Sequence, residues 1–376
     1  MRCVKLPGGV IHGNGSGNVM RNCFRRYLCM KVDTPVTGSV DEATSQTVDI
    51  CRCLLILGIV CIHCQIEVPP DAPAWLHDFR YFFQVILPSV CVPGFFVISG
   101  CWLFRSYDGS PGQYAGLLKK RVFSLVIPYL FWNLAVFLLY WLAPKIPGIS
   151  AFFTNDKFAG RSPLMVLDLL FGVTEKPIAY QFWFIRNLFL YAALTPLLYL
   201  LFRLPLGVFL CLISIFFICS RHIGGGLFFL LAGGILARLD IVRRISWKNH
   251  YCRFLSVLFL FLSILALNRT GGMRLAVILS GIPSVYCLSA FLYRIPWMSR
   301  FFRYLKTGVF FIFGIHAVLI VLIVKMFFLF IPASACGIVI GTLLCPLLCI
   351  GISLLIFEIF RKLFPRLLGV ICGGRI

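Results

Sequence analysis

Long apolar segments recur along the whole chain, and they constrain the fold more than any other feature. Residues 308–331, for example, carry only His316 and Lys325 as ionisable side chains. About 20 mostly apolar residues are enough for one helix to cross a bilayer. The chain is 60% hydrophobic and 13% charged, whereas soluble domains are about a quarter charged. We therefore predict an all-α, polytopic integral membrane protein in a lipid bilayer, and exclude a soluble nucleic-acid-binding protein despite the net charge of +22.

The hydropathy pattern predicts about ten transmembrane helices. They are expected at about residues 50–67, 81–104, 122–143, 181–202, 205–220, 224–238, 252–268, 273–293, 308–331 and 336–360. The fifth and sixth are short, so a count of nine or eleven stays open. The apolar segment 163–173 is too short to span, and we expect it to lie at the interface or to re-enter.

The distribution of Lys and Arg predicts the orientation. With the N-terminus inside, 25 of these residues fall in inner segments and 8 in outer loops, which favours cytoplasmic N- and C-termini. Residues 1–47 are expected to form a disordered cytoplasmic tail, and Met30 is an alternative start. Residues 48–362 then form the membrane domain, and 363–376 form a short cytoplasmic tail.

The first predicted span places three ionisable residues on one helix face. Arg52 and His63 are eleven positions apart, which is about 1100° of helical rotation and about 16 Å of rise. Glu67 follows His63 at i+4, which would place it one turn further out. Arg52 alone is typical of a positive-inside anchor. An ionisable residue within a span indicates function, and imidazole suits proton transfer, so His63 is the candidate general base with Glu67 orienting it.

A second histidine lies at a similar predicted depth. His316 is about 13 Å from the inner end of the ninth span, which enters from the same side as the first. The two histidines can therefore line one cavity and act together. The alternative is that they are two unrelated packing residues. Cys61 and Cys64 have CxxC spacing within an apolar helix without a second ligand pair, so no metal site is expected.

Five segments in order resemble the acyltransferase 3 family of membrane O-acyltransferases. They are R-x10-H (Arg52 to His63), "VPGFFVISGCWLF" (92–104), "LLKKRVFSLVIPYLFWN" (117–133), "FWFIRNLFLYAALTPLL" (182–198) and "FFIFGIHAVLI" (310–320). The resemblance covers about residues 48–360. One position departs from the family pattern: Phe313 stands three residues before His316, where the family commonly has Tyr.

The resemblance implies transfer of an acyl group, usually acetyl, from cytoplasmic acyl-CoA to a sugar hydroxyl. The acceptor would be an exported polysaccharide, lipopolysaccharide or lipid-linked glycan, and the protein would lie in the bacterial inner membrane. Acetyl-CoA would be a substrate rather than a bound cofactor. Its phosphates need cations, and the candidates are Arg52, Lys119, Lys120 and Arg121. Positive-inside charge explains residues 119–121 equally well.

Polar and aromatic residues near the spans are the candidates for acceptor binding. They are Arg186, Trp183, Asn133 and Tyr129. Arg186 lies within a span and should face a cavity or a partner, whereas Trp183 equally fits an interfacial belt. The alternative function is a proton-coupled transporter or flippase, which two histidines and an intramembrane Arg would also suit. We find no internal repeat of the kind that many transporters show. The sequence leaves the oligomeric state open.

Overall fold

The chain folds into helices in every part that the structure describes. This computed structural model describes residues 41–147, 150, 157–219, 224–238, 250–268 and 271–375, and these contain no strand. The helices are α1 (Glu42–His63), α2 (Ala74–Tyr81), α3 (Cys91–Arg105), α4 (Pro111–Arg121), α5 (Ile127–Leu142), α6 (Pro163–Phe171), α7 (Trp183–Ala193), α8 (Thr195–Leu201), α9 (Leu206–Cys219), α10 (Gly224–Arg238), α11 (His250–Leu265), α12 (Gly271–Tyr293), α13 (Pro296–Phe330), α14 (Ala335–Leu363) and α15 (Pro365–Ile371). The all-α prediction is confirmed.

Fewer helices than predicted are long enough to cross a bilayer. Within the described ranges, six helical stretches reach spanning length and hydropathy: Glu42–His63, Ala74–Arg105, Pro111–Lys145, Met273–Tyr293, Pro296–Phe330 and Ala335–Leu363. A seventh arises if α7 and α8, which are bent by 70°, form one broken span. Pro196, in the first turn of α8, has no backbone N–H to continue the hydrogen bonds of α7, and its ring would clash with the carbonyl four residues back, which explains the break. The predictions at 205–220, 224–238 and 252–268 correspond to the shorter helices α9, α10 and α11, so the count of ten is not confirmed.

Helix α1 begins and ends earlier than predicted. Asp41 caps it by accepting hydrogen bonds from the backbone N–H and the hydroxyl of Thr44, so residues 42–47 are helical rather than part of a tail. Residues 1–40 lie outside the described residues. At the other end, the helix stops at His63, and Pro69 and Pro70 follow. Glu67 is exposed and outside the helix, so its predicted place one turn beyond His63 is wrong.

Helices α1 and α13 lie side by side and run in the same direction. The Asp49 carboxylate in α1 pairs with the Lys306 ammonium in α13 at 3.0 Å. One turn along α1, the Cys53 thiol lies 3.9 Å from the Phe302 carbonyl. These two contacts place the first halves of α1 and α13 against each other, and the contact between the rings of His63 and His316, further along both helices, shows that the helices run in the same direction.

Helices α3 and α10 approach closely because both carry small residues at their interface. A Cβ on Gly100 would overlap the Leu230 carbonyl, and one on Gly233 would overlap the Val97 carbonyl. The Cys101 thiol donates to the Gly233 carbonyl at 3.0 Å. Small residues commonly allow this close contact between membrane helices. The segment "FFVISG" therefore has a packing role at its glycine.

Residues after α14 fold back onto the bundle. The structure differs here from the expected short tail at 363–376: α15 buries Leu368 and Ile371, and Cys372 after it is buried too. The Trp132 indole N–H in α5 donates to the Ile371 carbonyl at 3.2 Å. We call residues Pro365–Arg375 the hook. Apolar residues every third or fourth position in this segment explain its burial.

Candidate active site

A cavity of about 550 Å³ opens between α1, α3, α7, α13 and the hook. Its mouth carries four cationic side chains: Arg52, Arg121, Lys306 and Arg375. Deeper in, its walls are mostly apolar and include Ile59 and Phe313. The cavity thus joins a positively charged mouth to an apolar interior, which suits a ligand with an anionic head and a less polar arm.

The charges at the mouth do not balance. Asp49 is the single acidic residue in the lining, and it pairs with both Arg52 and Lys306 at 3.0 Å. The Arg52 guanidinium also lies over the Trp102 ring, 5.7 Å from its centroid. The other two cations of the mouth, Arg121 and Arg375, form no ion pair with a carboxylate among the described residues. An anion entering the mouth would find positive charge that the protein does not neutralise.

The basic run at the end of α4 divides between two faces. Arg121 lines the cavity, whereas Lys119 and Lys120 are exposed and lie outside the lining. A π-helical turn, Val122–Val126, follows directly and places the buried Leu125 in the cavity wall. The extra residue of a π turn rotates the helix face that follows it, and such turns are frequent at functional sites. Of the four predicted donor-binding cations, the structure brings Arg52 and Arg121 together.

His63 and His316 lie next to each other, beyond the apolar end of the cavity. Their ring centroids are 5.0 Å apart, and the rings are tilted by 44°. His63 comes one helical turn after the cavity residue Ile59, and His316 one turn after Phe313. The expectation that the two histidines share one level is confirmed by this contact.

The backbone fixes which nitrogen of His316 carries the proton. Its Nδ1 lies 2.9 Å from the Phe313 carbonyl oxygen and 3.1 Å from that of Ile312. Carbonyl oxygens only accept, so neutral His316 is protonated on Nδ1. Its Nε2 is then a lone-pair acceptor, and this buried atom has no hydrogen-bond partner within the described part of the chain. At Nε2 the neutral ring can therefore accept a hydrogen bond, for example from a hydroxyl, but it cannot donate one there.

Tyr180 connects His63 to the exposed side of the site. Its hydroxyl lies 3.0 Å from His63 Nδ1, and its side chain is 40% exposed. The neighbouring Gln181 donates from its amide to the Gly314 carbonyl at 3.0 Å. Residues 180 and 181 thus hold both histidine-bearing helices. The hydroxyl beside the pair comes from Tyr180, since Phe313 has none.

The predicted acceptor residues hold the segment that leads to Tyr180. The Tyr129 hydroxyl donates to the Phe171 carbonyl at 2.7 Å, and the Arg186 guanidinium donates to the Gly172 carbonyl. Asn133 is fully buried, accepts from the Ala179 N–H and donates to a carbonyl one turn back. None of these residues lines the cavity, so the structure gives them a positioning role, and direct contact with a sugar stays a prediction.

Trp183 and Asp168 also lie outside the cavity lining. The Trp183 ring packs 6.3 Å from that of Phe96 and does not line the cavity. Asp168, which sequence reasoning missed, accepts from the Thr174 hydroxyl at 2.6 Å and from the backbone N–H groups of residues 173–175. The Thr174 bond, with these backbone bonds, lowers the pKa of Asp168 to about 2. This carboxylate therefore stays ionised and closes the loop before Tyr180.

The fold and the site define a polytopic membrane protein in which a cation-lined cavity leads to a buried histidine pair. The acyltransferase 3 family model, described as an acyltransferase domain, matches residues 46–351, and the chain belongs to this family. It is similar to the succinoglycan biosynthesis protein ExoH of Rhizobium meliloti (strain 1021), with 29% identity over 185 residues. That alignment covers 46% of this chain and 48% of ExoH, so the chain spans about half of this relative's length. No solved structure matches the chain significantly.

Proposed function

We propose that the protein transfers an acyl group, with acetyl as the first candidate, from cytoplasmic acyl-CoA to a hydroxyl of a cell-surface or lipid-linked carbohydrate. The observation that carries the proposal is the cation-lined cavity that ends one helical turn from the His63–His316 pair. Family membership favours an acyltransferase over the transporter or flippase. The relative is named for succinoglycan biosynthesis in a bacterium, which supports a carbohydrate acceptor, and the location we propose is a bacterial inner membrane.

The cavity matches the chemistry of acyl-CoA. The nucleotide phosphates would lie at the mouth against Arg52 and Arg121, because charge-assisted bonds to phosphate are strong. The pantetheine arm would follow the apolar walls toward Ile59 and Phe313. Its thioester would then reach the histidine pair, where the reacting groups are held close together.

In the proposed reaction, His63 removes the proton from the sugar hydroxyl as the oxygen attacks the thioester carbonyl. The new C–O bond forms, the C–S bond breaks, and the CoA thiolate takes up the proton from His63. If His63 Nδ1–H donates to Tyr180, its Nε2 is free to act as the base. The lone pair on His316 Nε2, in the ring beside His63, would stabilise the positive charge that forms on His63.

The test is acyl transfer by the purified protein in lipid nanodiscs. Wild-type protein with acetyl-CoA should release free CoA thiol, and cells that contain the protein should carry an added acyl mass on a surface glycan. His63→Ala should lower the rate by about 10²–10⁴-fold, as is typical for loss of a general base. His77→Ala, in α2 and outside the cavity lining, is the matched control.

Two outcomes would contradict the proposal. If the wild-type protein inserts but does not bind acyl-CoA, then acyl-CoA is not its donor. A transporter would show neither acyl-CoA hydrolysis nor acyl transfer. Normal turnover in a correctly inserted His63→Ala variant would show that His63 is not the general base, and His316 would then be the remaining candidate.

A further inference from the structure

The hook contributes one cation to the cavity from outside the family match. The match covers residues 46–351, whereas the hook begins at Pro365. Of its residues, Arg375 lines the cavity together with Arg52 and Arg121. The family pattern therefore does not account for this side chain, and its position needs its own explanation.

Two glycines turn the hook toward the cavity. After α15, the Gly374 N–H donates to the Gly369 carbonyl at 2.8 Å, and the Gly373 N–H donates to the Val370 carbonyl at 3.0 Å. This pair of bonds is a Schellman motif, with Gly373 in the left-handed region at φ 62°. Gly374 follows at φ 71°. The chain changes direction at these residues, and Arg375, which follows them, lines the cavity.

At the mouth, Arg375 forms no ion pair with any acidic side chain that the structure describes. Its guanidinium lies over the Phe310 ring, 4.3 Å from the centroid, and donates to the Cys372 carbonyl at 3.4 Å. Burial of the guanidinium and the nearby Arg121 and Arg52 lower the pKa of Arg375 to about 10. It stays protonated at neutral pH. Three guanidinium groups thus converge on one cavity, which is unfavourable unless an anion lies between them.

We propose that the hook is a donor-binding element in which Arg375 binds a phosphate group of acyl-CoA. The inference rests on the proposed function, because acyl-CoA is the anion proposed for the mouth. A planar guanidinium suits this task, since it can donate two parallel hydrogen bonds to one phosphate. Arg375 does not reach the histidine pair, so its effect falls on donor affinity rather than on the chemical step.

The test compares two arginines of the hook. Arg366 lies on the exposed side of α15 and outside the cavity lining, so Arg366→Ala removes the same charge without touching the cavity. Binding of CoA and of dephospho-CoA to each variant is measured by calorimetry in nanodiscs. Arg375→Ala should weaken CoA binding by about tenfold or more, whereas Arg366→Ala should leave it near the wild-type value.

Steady-state kinetics separate binding from folding. Arg375→Ala should raise the KM for acetyl-CoA while kcat at saturating donor stays near the wild-type value, and Arg375→Lys should fall between the two proteins because it keeps the charge but not the paired donors. A loss for CoA alone assigns Arg375 to the 3′-phosphate, and an equal loss for dephospho-CoA assigns it to the diphosphate.

The two proposals fail in different ways. If the wild-type protein does not bind CoA, the proposal that acyl-CoA is the donor is wrong. Wild-type protein that binds CoA, together with an Arg375→Ala variant of unchanged affinity, would overturn the role of the hook alone. An equal loss in Arg366→Ala and Arg375→Ala would also overturn it, because it would show a general effect of net charge.

Discussion

The hydroxyl of Tyr180 and the backbone carbonyls beside His316 give the two imidazoles different constraints. His316 Nδ1 faces carbonyl oxygens only, whereas His63 Nδ1 faces a hydroxyl that can donate or accept. The proton of neutral His316 is therefore fixed on one nitrogen, while Tyr180 permits either tautomer of His63. A base that must take up and return a proton benefits from a partner that can adapt in this way.

Replacing Tyr180 by Phe should lower turnover by about two- to tenfold, because it removes one hydrogen bond to His63. The KM for acetyl-CoA should change little, since Tyr180 does not line the donor cavity. Tyr114→Phe is the control: it removes a hydroxyl that donates to the Ala193 carbonyl at 2.8 Å, away from the histidines. Equal rates in the Tyr180→Phe variant and the wild-type protein would show that the bond does not assist His63.

Residues on one helix could be predicted from the sequence, and residues that meet across the chain could not. Arg52 and His63 follow from the fixed rotation per residue, and His316 follows from its depth. Tyr180 meets His63 across 117 positions, so no local pattern indicates it. The prediction for Glu67 was wrong because it extended the helical periodicity past His63, where α1 ends.

At the scale of elements, the hook depends on the left-handed turn at Gly373. A Cβ at this position would lie 2.7 Å from the Ser124 carbonyl oxygen. A side chain here would therefore clash with that oxygen and would also have to adopt the left-handed backbone conformation. Gly373→Ala should lower the free energy of unfolding by about 1–3 kcal/mol, and it should raise the KM for acetyl-CoA as Arg375→Ala does. Thermal unfolding in detergent measures the first effect.

Gly351→Ala is the control for this glycine. Gly351 lies within α14, and a Cβ there would meet no atom within 4 Å. In a helix interior, alanine is energetically more favourable than glycine, so this variant should be as stable as the wild-type protein or slightly more stable. A Gly373→Ala variant that unfolds at the same temperature as Gly351→Ala would contradict the predicted strain.

The sequence did carry a signal for the hook, although hydropathy concealed it. Gly373 and Gly374 after an apolar helical pattern are typical of a helix end, and Pro365 is typical of a helix start. As part of the predicted cytoplasmic tail at 363–376, Arg375 was expected to contribute only to orientation. Its approach to Phe310 depends on the return of the chain, which no local pattern predicts.

Across the whole molecule, helix length explains why the span count was only partly predictable. Hydropathy identifies apolar segments, but it does not show whether one segment spans, bends or stops short. The segment predicted at 181–202 is divided by a bend of 70° at Leu194. The segment predicted at 308–331 is the later part of a 35-residue helix, α13, whose earlier turns carry Lys306 at the cavity mouth.

The orientation of the whole molecule predicts which loops meet the cytoplasm. The cationic mouth lies toward the starts of α1 and α13, which the positive-inside rule places in the cytoplasm together with the donor. The loop between α3 and α4 should then be cytoplasmic, and the loop between α13 and α14 should lie on the opposite side. Gly112→Cys, in the first turn of α4 directly after the first loop, and Ala333→Cys, in the second loop, test the two sides, since a Cβ at Gly112 meets no atom within 4 Å and Ala333 is exposed.

The labelling uses a membrane-impermeant maleimide on intact cells and on inside-out vesicles, with the cysteines outside the buried core replaced by Ser. Gly112→Cys should react in inside-out vesicles, and Ala333→Cys should react in intact cells. Counted along the chain, the six spanning candidates among the described residues put the first loop after the second span and the other loop after the fifth, and so on opposite sides of the bilayer. Labelling of both positions from the same side would contradict the orientation. The reverse pattern would move the cavity mouth away from cytoplasmic acyl-CoA, and the donor proposed for this site would then have no access to the cations that are arranged to bind it.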